Sequence, residues 1–196
     1  MNKAVFLDRD GTINIDKGYV FQREQFEYIN GVTEALRLLG ELGYQLVIVT
    51  NQSGIARGYY TIHDFEQLND WMLSDLKKRG IEIAGIYYCP HHPRGRNRQY
   101  AMECDCRKPK TGLFWRAQKE LQIDMEHSYA VGDRIRDLCI CGESNVQGIL
   151  LYDLKSNYVK LDVQKEVWRC HDLAEAARRI AQEDERGDSG NVQLTM

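Results

Sequence analysis

Ala4-Val5-Phe6-Leu7-Asp8-Arg9-Asp10-Gly11-Thr12 is the stretch whose reading decides the fold. Four apolar residues run into two aspartates one residue apart, and a glycine follows. A short apolar run closed by a turn signal reads as a buried strand of a parallel sheet. In open α/β sheets ligands sit beyond the carboxyl ends of such strands, which puts Asp8 and Asp10 at a ligand position. Alternation along an extended chain points both side chains the same way. Two carboxylates that close repel unless a cation shares them, and oxygen ligands suit Mg²⁺. Taken alone, Asp-x-Asp-Gly serves equally well as an ordinary acidic turn.

Working outward, the rest of the chain alternates helix and strand signals. Asn30 is placed to cap a helix from Val32 to Leu42, with an apolar stripe at Val32, Ala35, Leu36, Leu39 and Leu42 and Gly43 behind it. A second buried strand, Tyr44 to Thr50, ends in Thr50-Asn51-Gln52-Ser53-Gly54. A hydroxyl and small polar residues at a strand tip suit phosphate oxygens, although an ordinary strand-to-helix turn reads the same way. Thr61 opens a helix to Arg79, whose stripe of Phe65, Leu68, Met72 and Leu76 belongs to the core. Strands follow at Ile81–Tyr88, at Ser128–Val131, which runs into Gly132-Asp133-Arg134-x-x-Asp137, and at Gln147–Leu151; a helix from Thr111 to Leu121 lies between the first two. Val167–Cys170 reads as a further short strand, and His171-Asp172 leads into a helix to Gln182. Residues 152–165 carry no clear pattern. Strands alternating with helices predict an α/β three-layer sandwich with a mainly parallel, Rossmann-like sheet. One domain over residues 1–182 is expected, without a separate cap domain, and 183–196 reads as a polar, disordered tail.

One segment departs from this rhythm. Cys89-x-His91 and Cys104-Asp105-Cys106 bracket a long basic and polar loop over residues 89–106. Three sulfurs and an imidazole form the ligand set of a closed structural Zn²⁺ site, with a disulfide as the competing reading. Arg107 and Lys108 follow at once, where a fixed ammonium can neutralise charge on a phosphoryl group and an Arg fork can grip a second phosphate. Cys139 and Cys141 read as small buried hydrophobes, as does Cys170 beside His171, because no partner ligands lie near in sequence.

The chain has 196 residues, enough for one ordinary domain, with 43% hydrophobic and 28% charged residues and a formal net charge of −3. That balance argues against a nucleic-acid surface, and no apolar run reaches membrane-spanning length. A cytoplasmic monomer acting on a small molecule is expected, and its six cysteines are then thiols or metal ligands.

The motif set resembles that of the haloacid-dehalogenase-like phosphohydrolases over about residues 3–150. The match rests on Asp8-x-Asp10-Gly11-Thr12, Thr50 at the second strand tip, Lys108-Pro109 and Gly132-Asp133. The resemblance implies that Asp8 is the nucleophile, Asp10 the general acid and base, and that Thr50 and Lys108 hold the phosphoryl group. Mg²⁺ then sits on Asp8, the backbone carbonyl of Asp10, and Asp133, with Asp137 in support. Asp16-Lys17-Gly18-Tyr19, Ile55-Ala56-Arg57-Gly58 and the cysteine loop are similar to the D-glycero-D-manno-heptose 1,7-bisphosphate phosphatases. That likeness implies release of the 7-phosphate in heptose precursor (lipopolysaccharide core) biosynthesis. Structural zinc falls on Cys89, His91, Cys104 and Cys106. Substrate contacts fall on Asp16, Lys17, Gly18, Tyr19, Asn51, Gln52, Ser53, Arg107 and Arg134. Arg134 stands where those enzymes commonly carry Lys. Histidinol-phosphate phosphatases share the metal loop and are the same-class alternative, and a zinc-ordered binding module without catalysis is the different-class one. The role of His92 and the preferred anomer at C1 stay open.

Overall fold

The computed structural model of the chain describes residues 2–152 and 166–191. Strands β1 (Ala4–Leu7), β2 (Gln45–Asn51), β3 (Ile83–Cys89), β4 (Tyr129–Gly132), β5 (Gln147–Leu151) and β6 (Trp168–Cys170) form one sheet in the order β3-β2-β1-β4-β5-β6. Every neighbouring pair is parallel. The chain builds outward from β1 to β3, then returns across the sheet to β4 and builds the other way. That reversal puts a crevice beyond the carboxyl ends of β1 and β4, where such folds take their ligands.

Helices cover both faces, as a parallel sheet requires. Val5 and Leu7 of β1, with Leu46 and Ile48 of β2, pack with apolar residues of α1 (Val32–Glu41), α3 (Ile62–Lys78) and α5 (Leu173–Asn191). Ala4 and Phe6, with Val47 and Val49, pack on the other face with Leu113, Phe114 and Ala117 of α4 (Gly112–Leu121). Alternate residues of one strand thus serve two cores. Thr61 caps α3, exchanging hydrogen bonds with Asp64 in a capping box.

Several boundaries differ from the expectations. Gly31, not Asn30, is the residue before α1; it has φ 77°, a left-handed backbone that glycine adopts without strain. A short helix, α2 (Ser53–Arg57), forms directly after β2. The expected short strand at Val167–Cys170 forms as Trp168–Cys170 and pairs with β5. Helix α5 does not end at Gln182 but runs to Asn191. Asp184 is tied there to Lys3 Nζ at 2.7 Å and to the Tyr44 hydroxyl at 2.7 Å, which anchors the helix to the start of the chain. The part of the expected disordered tail that lies within α5 is therefore ordered, and residues 192–196 fall outside the described residues, as does 153–165. Among the described residues no helix is long and apolar enough to cross a membrane.

Candidate active site

Strand β1 ends at Leu7, and Asp8-Arg9-Asp10 already belongs to the turn that follows. The turn is closed by Gly11 N–H to Asn14 O at 2.7 Å and Ile13 N–H to Arg9 O at 2.8 Å. Gly11 has φ 90°, and a Cβ there would stand 2.5 Å from Asp133 Oδ2, so both the backbone and the close approach call for glycine. Asp8 and Asp10 thus both lie beyond the end of β1, each with its own set of partners.

Asp8 meets Lys108, whose Nζ lies 3.0 Å from Asp8 Oδ1 and 2.7 Å from Asp137 Oδ1 and donates to Val49 O at 2.6 Å. Lys108 is only 2% exposed. Burial pushes the Asp8 carboxyl up to about 6, against the pull of Lys108; the nearby Asp137 and Asp10 add to the rise. The ammonium of Lys108 is held above its ordinary range by Asp8 and then Asp137, in spite of burial, which opposes it. The peptide of Lys108 is clamped to β2, because the Asn51 side chain accepts from Lys108 N–H at 3.1 Å and donates to Lys108 O at 3.0 Å.

Asp10 is held by four hydrogen bonds. Arg9 Nη2 donates to both of its oxygens at 3.1 and 2.9 Å, Asn14 Nδ2 to Oδ1 at 3.0 Å, and Gln52 Nε2 to Oδ2 at 2.9 Å. The Arg9 side chain is fully buried, donates also to Val20 O at 2.8 Å, and lies over the Phe65 ring. Sequence reading gave roles to the two aspartates and missed Arg9, Asn14 and Tyr60. Their only signal was polarity next to the motifs.

Asp133 stands at the tip of β4. Oxygens of Asp8, Asp133 and Asp137 come within 4.8 Å of one another. Asp133 Oδ1 is buried without a hydrogen-bond partner, and burial followed by the Asp137 charge raises the Asp133 carboxyl. A hard divalent cation satisfies an orphaned carboxylate oxygen and offsets this repulsion, so the three carboxylates fit Mg²⁺.

The loop after Thr12 folds back across the site. Arg134 Nη2 reaches Asp16 Oδ2 at 3.2 Å, and Arg134 Nε stands 3.6 Å from Asp133 Oδ2. Asp16 also accepts from Gly18 N–H at 2.9 Å. Tyr19 adopts φ 58°, uncommon for a residue with a side chain, and its ring meets Tyr59 edge to face with centroids 4.7 Å apart. Among the residues assigned to substrate from sequence, Lys17 is ion-paired with Glu27 at 2.7 Å and both side chains are exposed. Gln52 has no free polar group: its side chain contacts Asp10, Thr50 and Tyr60, and its backbone N–H donates to Cys89 O at 2.8 Å. Both side chains already have a partner inside the protein. Ser53 opens α2 behind this turn.

The second cluster lies on the loop after β3. Cys89, His91, Cys104 and Cys106 offer ligand atoms within 4.8 Å of one another. Sulfur separations are 3.5 Å for Cys89–Cys104 and 3.2 Å for Cys104–Cys106, and His91 Nδ1 stands 3.7 and 3.3 Å from Cys89 and Cys106. These are edges of a small tetrahedron, far longer than an S–S bond of about 2.05 Å, so the disulfide reading fails. Burial pushes the Cys106 thiol up to about 11 and that of Cys89 higher still, a penalty that a bound dication reverses. His92 is not in the cluster; its Nε2 lies 3.0 Å from Arg57 Nη2. Arg107 donates to His91 O at 3.2 Å, so the cysteine loop carries it directly. Its guanidinium is held below its ordinary range by burial, with Arg136 and Arg57 adding like charge against the pull of the cysteines.

A buried nucleophile-like carboxylate against a lysine, a cation-ready carboxylate cluster and a parallel sheet together define a phosphohydrolase of the haloacid-dehalogenase-like class. A protein-family model described as polynucleotide kinase 3 phosphatase matches residues 3–167. The chain is 55% identical over 138 residues to the D-glycero-beta-D-manno-heptose-1,7-bisphosphate 7-phosphatase of Pasteurella multocida, covering 70% of this chain and 74% of that one. Against the protein of the same name from Escherichia coli K12 it is 51% identical over 143 residues, 73% of this chain and 75% of that one. A crystal structure of D,D-heptose 1.7-bisphosphate phosphatase from B. bronchiseptica, complexed with magnesium and phosphate, superposes with a TM-score of 0.79 at 28% identity, covering 92% of this chain and 99% of that one. The chain belongs to the heptose 1,7-bisphosphate phosphatase family.

Proposed function

We propose that the chain is a Mg²⁺-dependent phosphatase that removes the 7-phosphate of D-glycero-β-D-manno-heptose 1,7-bisphosphate. The observation that carries this reading is the pairing of two features. Arg107 directly precedes Lys108 of the Asp8–Lys108 site, is held by the Cys/His loop, and feels the like charges of Arg136 and Arg57. A second phosphate on the substrate would pair with the Arg107 fork and offset those like charges. The relatives' names support the sugar and its β anomer.

In this mechanism Asp8 attacks phosphorus in line, and the bond from phosphorus to the C7 oxygen breaks. Asp10 gives that oxygen its proton and Asp8 becomes an aspartyl-phosphate. Asp10, now a carboxylate, takes a proton from water as the water attacks phosphorus, and phosphate leaves with Asp8 regenerated. Lys108 and the Thr50 hydroxyl hold the phosphoryl oxygens. Asp8 and Asp133, with the Asp10 carbonyl, would hold Mg²⁺, which supplies charge neutralisation at the phosphoryl group; Asp137 orients Lys108. Cys89, His91, Cys104 and Cys106 would hold structural Zn²⁺. Asp16, Gly18, Tyr19, Ser53, the backbone of Asn51, Arg107 and Arg134 line the substrate side. The setting is a cytoplasmic monomer in heptose precursor synthesis.

The test is Mg²⁺-dependent phosphate release from the α and β anomers of the heptose 1,7-bisphosphate, with histidinol phosphate and a 3′-phosphorylated oligonucleotide alongside. The β bisphosphate should lead by at least tenfold, roughly the effect of one good charge-assisted contact. A preference for histidinol phosphate or the oligonucleotide would overturn the substrate and leave the phosphatase chemistry standing.

A further inference from the structure

Gln52 occupies an odd position for a residue beside a phosphoryl site. It is 2% exposed, yet it carries an amide with two donors and an acceptor. Its Nε2 donates to Asp10 Oδ2 at 2.9 Å and to Thr50 Oγ1 at 3.0 Å, and its Oε1 accepts from the Tyr60 hydroxyl at 2.6 Å. The amide can face Asp10 only with its NH₂ end, because a carbonyl oxygen turned toward a carboxylate would repel it. That orientation leaves Oε1 pointing away into the protein, where a buried acceptor needs a donor. Tyr60 supplies that donor and so selects the orientation.

Tyr60 is itself fixed. It is 6% exposed and stacks on Phe21 with ring centroids 5.0 Å apart and planes 12° from parallel. Gly54 lies against its ring so closely that a Cβ there would overlap it. Burial pushes the phenol well above its ordinary range, which keeps it a donor. On the other side of Asp10, Arg9 and Asn14 also donate to its carboxyl. Occupying Thr50 Oγ1 as an acceptor also turns the Thr50 O–H outward, the direction in which it must donate to a phosphoryl oxygen.

We propose that Tyr60 and Gln52 form a positioning relay that aims the Asp10 carboxyl at the leaving-group oxygen and, through the same NH₂ group, orients the Thr50 hydroxyl. The relay deepens the mechanism above and rests on its reading of Asp10 as the proton donor. Neither residue touches substrate; each acts through Asp10 or Thr50.

The relay makes a prediction that loss of packing does not. Proton donation matters most when the departing oxygen is a poor leaving group and least when it is an acidic phenol. Tyr60→Phe and Gln52→Leu are compared with the unaltered Mg²⁺- and Zn²⁺-loaded protein, using kcat/KM for the heptose bisphosphate and for phenyl, 4-nitrophenyl and 2,4-dinitrophenyl phosphate. Tyr60→Phe removes one oxygen atom and keeps the ring on Gly54, so it remains informative if Gln52→Leu folds poorly. Tyr60→Phe should lose about tenfold and Gln52→Leu about a hundredfold on the sugar and on phenyl phosphate, with the Tyr60→Phe loss falling below about twofold on 2,4-dinitrophenyl phosphate. The same decline across the series, superimposed on a uniform loss from Thr50, is expected of Gln52→Leu. An equal loss on every leaving group in both variants, or unchanged kcat/KM in both, overturns the relay. Asp10→Asn in the same series separates the two claims. A leaving-group-independent loss there sinks the reading of Asp10 as acid, and an inactive heptose substrate with active aryl phosphates sinks only the substrate.

Discussion

The two cation-ready clusters of this molecule are built by opposite means. The carboxylates of Asp8, Asp133 and Asp137 stand at the tips of β1 and β4 and in the turn behind β4, on a sheet whose two faces are already packed. In the other cluster Cys89 ends β3, while His91, Cys104 and Cys106 stand on a long connection between β3 and α4 that contains no regular element. In the first, the fold forces like charges together and a cation relieves them. In the second, a metal bound as proposed would supply the order that hydrophobic burial does not. The difference teaches that one metal should govern activity and the other should govern structure.

The largest effect that could break this contrast is at the nucleophile. Asp8→Asn should lower turnover by at least about 10⁴-fold while circular dichroism and the Zn²⁺ content stay as they were. Retained turnover would remove Asp8 from the reaction. At the other cluster, Cys104→Ser should reduce bound zinc, measured by elemental analysis, and cost at least about 3 kcal/mol of stability in urea unfolding. Withdrawing Mg²⁺ alone should stop turnover reversibly with far less change in stability, and similar melting for both losses would erase the distinction.

Arg107 joins the two clusters, and Arg107→Ala sharpens the comparison. It should raise KM for the bisphosphate about 10- to 100-fold, the range of a charge-assisted contact, and leave 4-nitrophenyl phosphate nearly unaffected. Equal losses on both would place its role in loop structure instead.

A further effect of comparable size is expected in the pH dependence of stability. The Asp8 carboxyl is raised from 3.8 to about 6 by burial, so the native state binds its proton more tightly than the unfolded chain does. Its stabilising contribution is therefore present below the unfolded value and is lost as pH rises through about 6. Without added Mg²⁺, the stability of Asp8→Asn relative to the unaltered protein should improve by up to about 3 kcal/mol between pH 4 and pH 7.5. Mg²⁺ should cancel that improvement, because a bound cation favours the ionised carboxylate. Urea midpoints at the two pH values decide it.

Most of the architecture was legible because parallel strands buried on both faces write unbroken apolar runs, as in Val5-Phe6-Leu7 and Val47-Ile48-Val49. Motifs at strand tips were legible for the same reason: a polar residue directly after such a run has one place to be. The metal loop was readable from its ligand types alone, and the structure separates His91 from His92 as expected from the resemblance. Element ends were less legible. The boundary at Gly31 depended on a backbone angle, and the extension of α5 depended on Asp184 finding Lys3 and Tyr44 from the far end of the chain.

The sequence by itself determined the α/β alternation and which residue types make up the carboxylate and Cys/His clusters, since these follow from residue type and local spacing. Only the tertiary structure decided how those groups are aimed. It set Gln52 against Asp10, Asn51 against Lys108 and Lys17 against Glu27. The physical reason is that a hydrogen bond is made with whichever partner folding brings within about 3 Å. Tyr60 and Gln52, eight residues apart, or Asn51 and Lys108, 57 apart, have no common pattern in the chain to announce that they will meet.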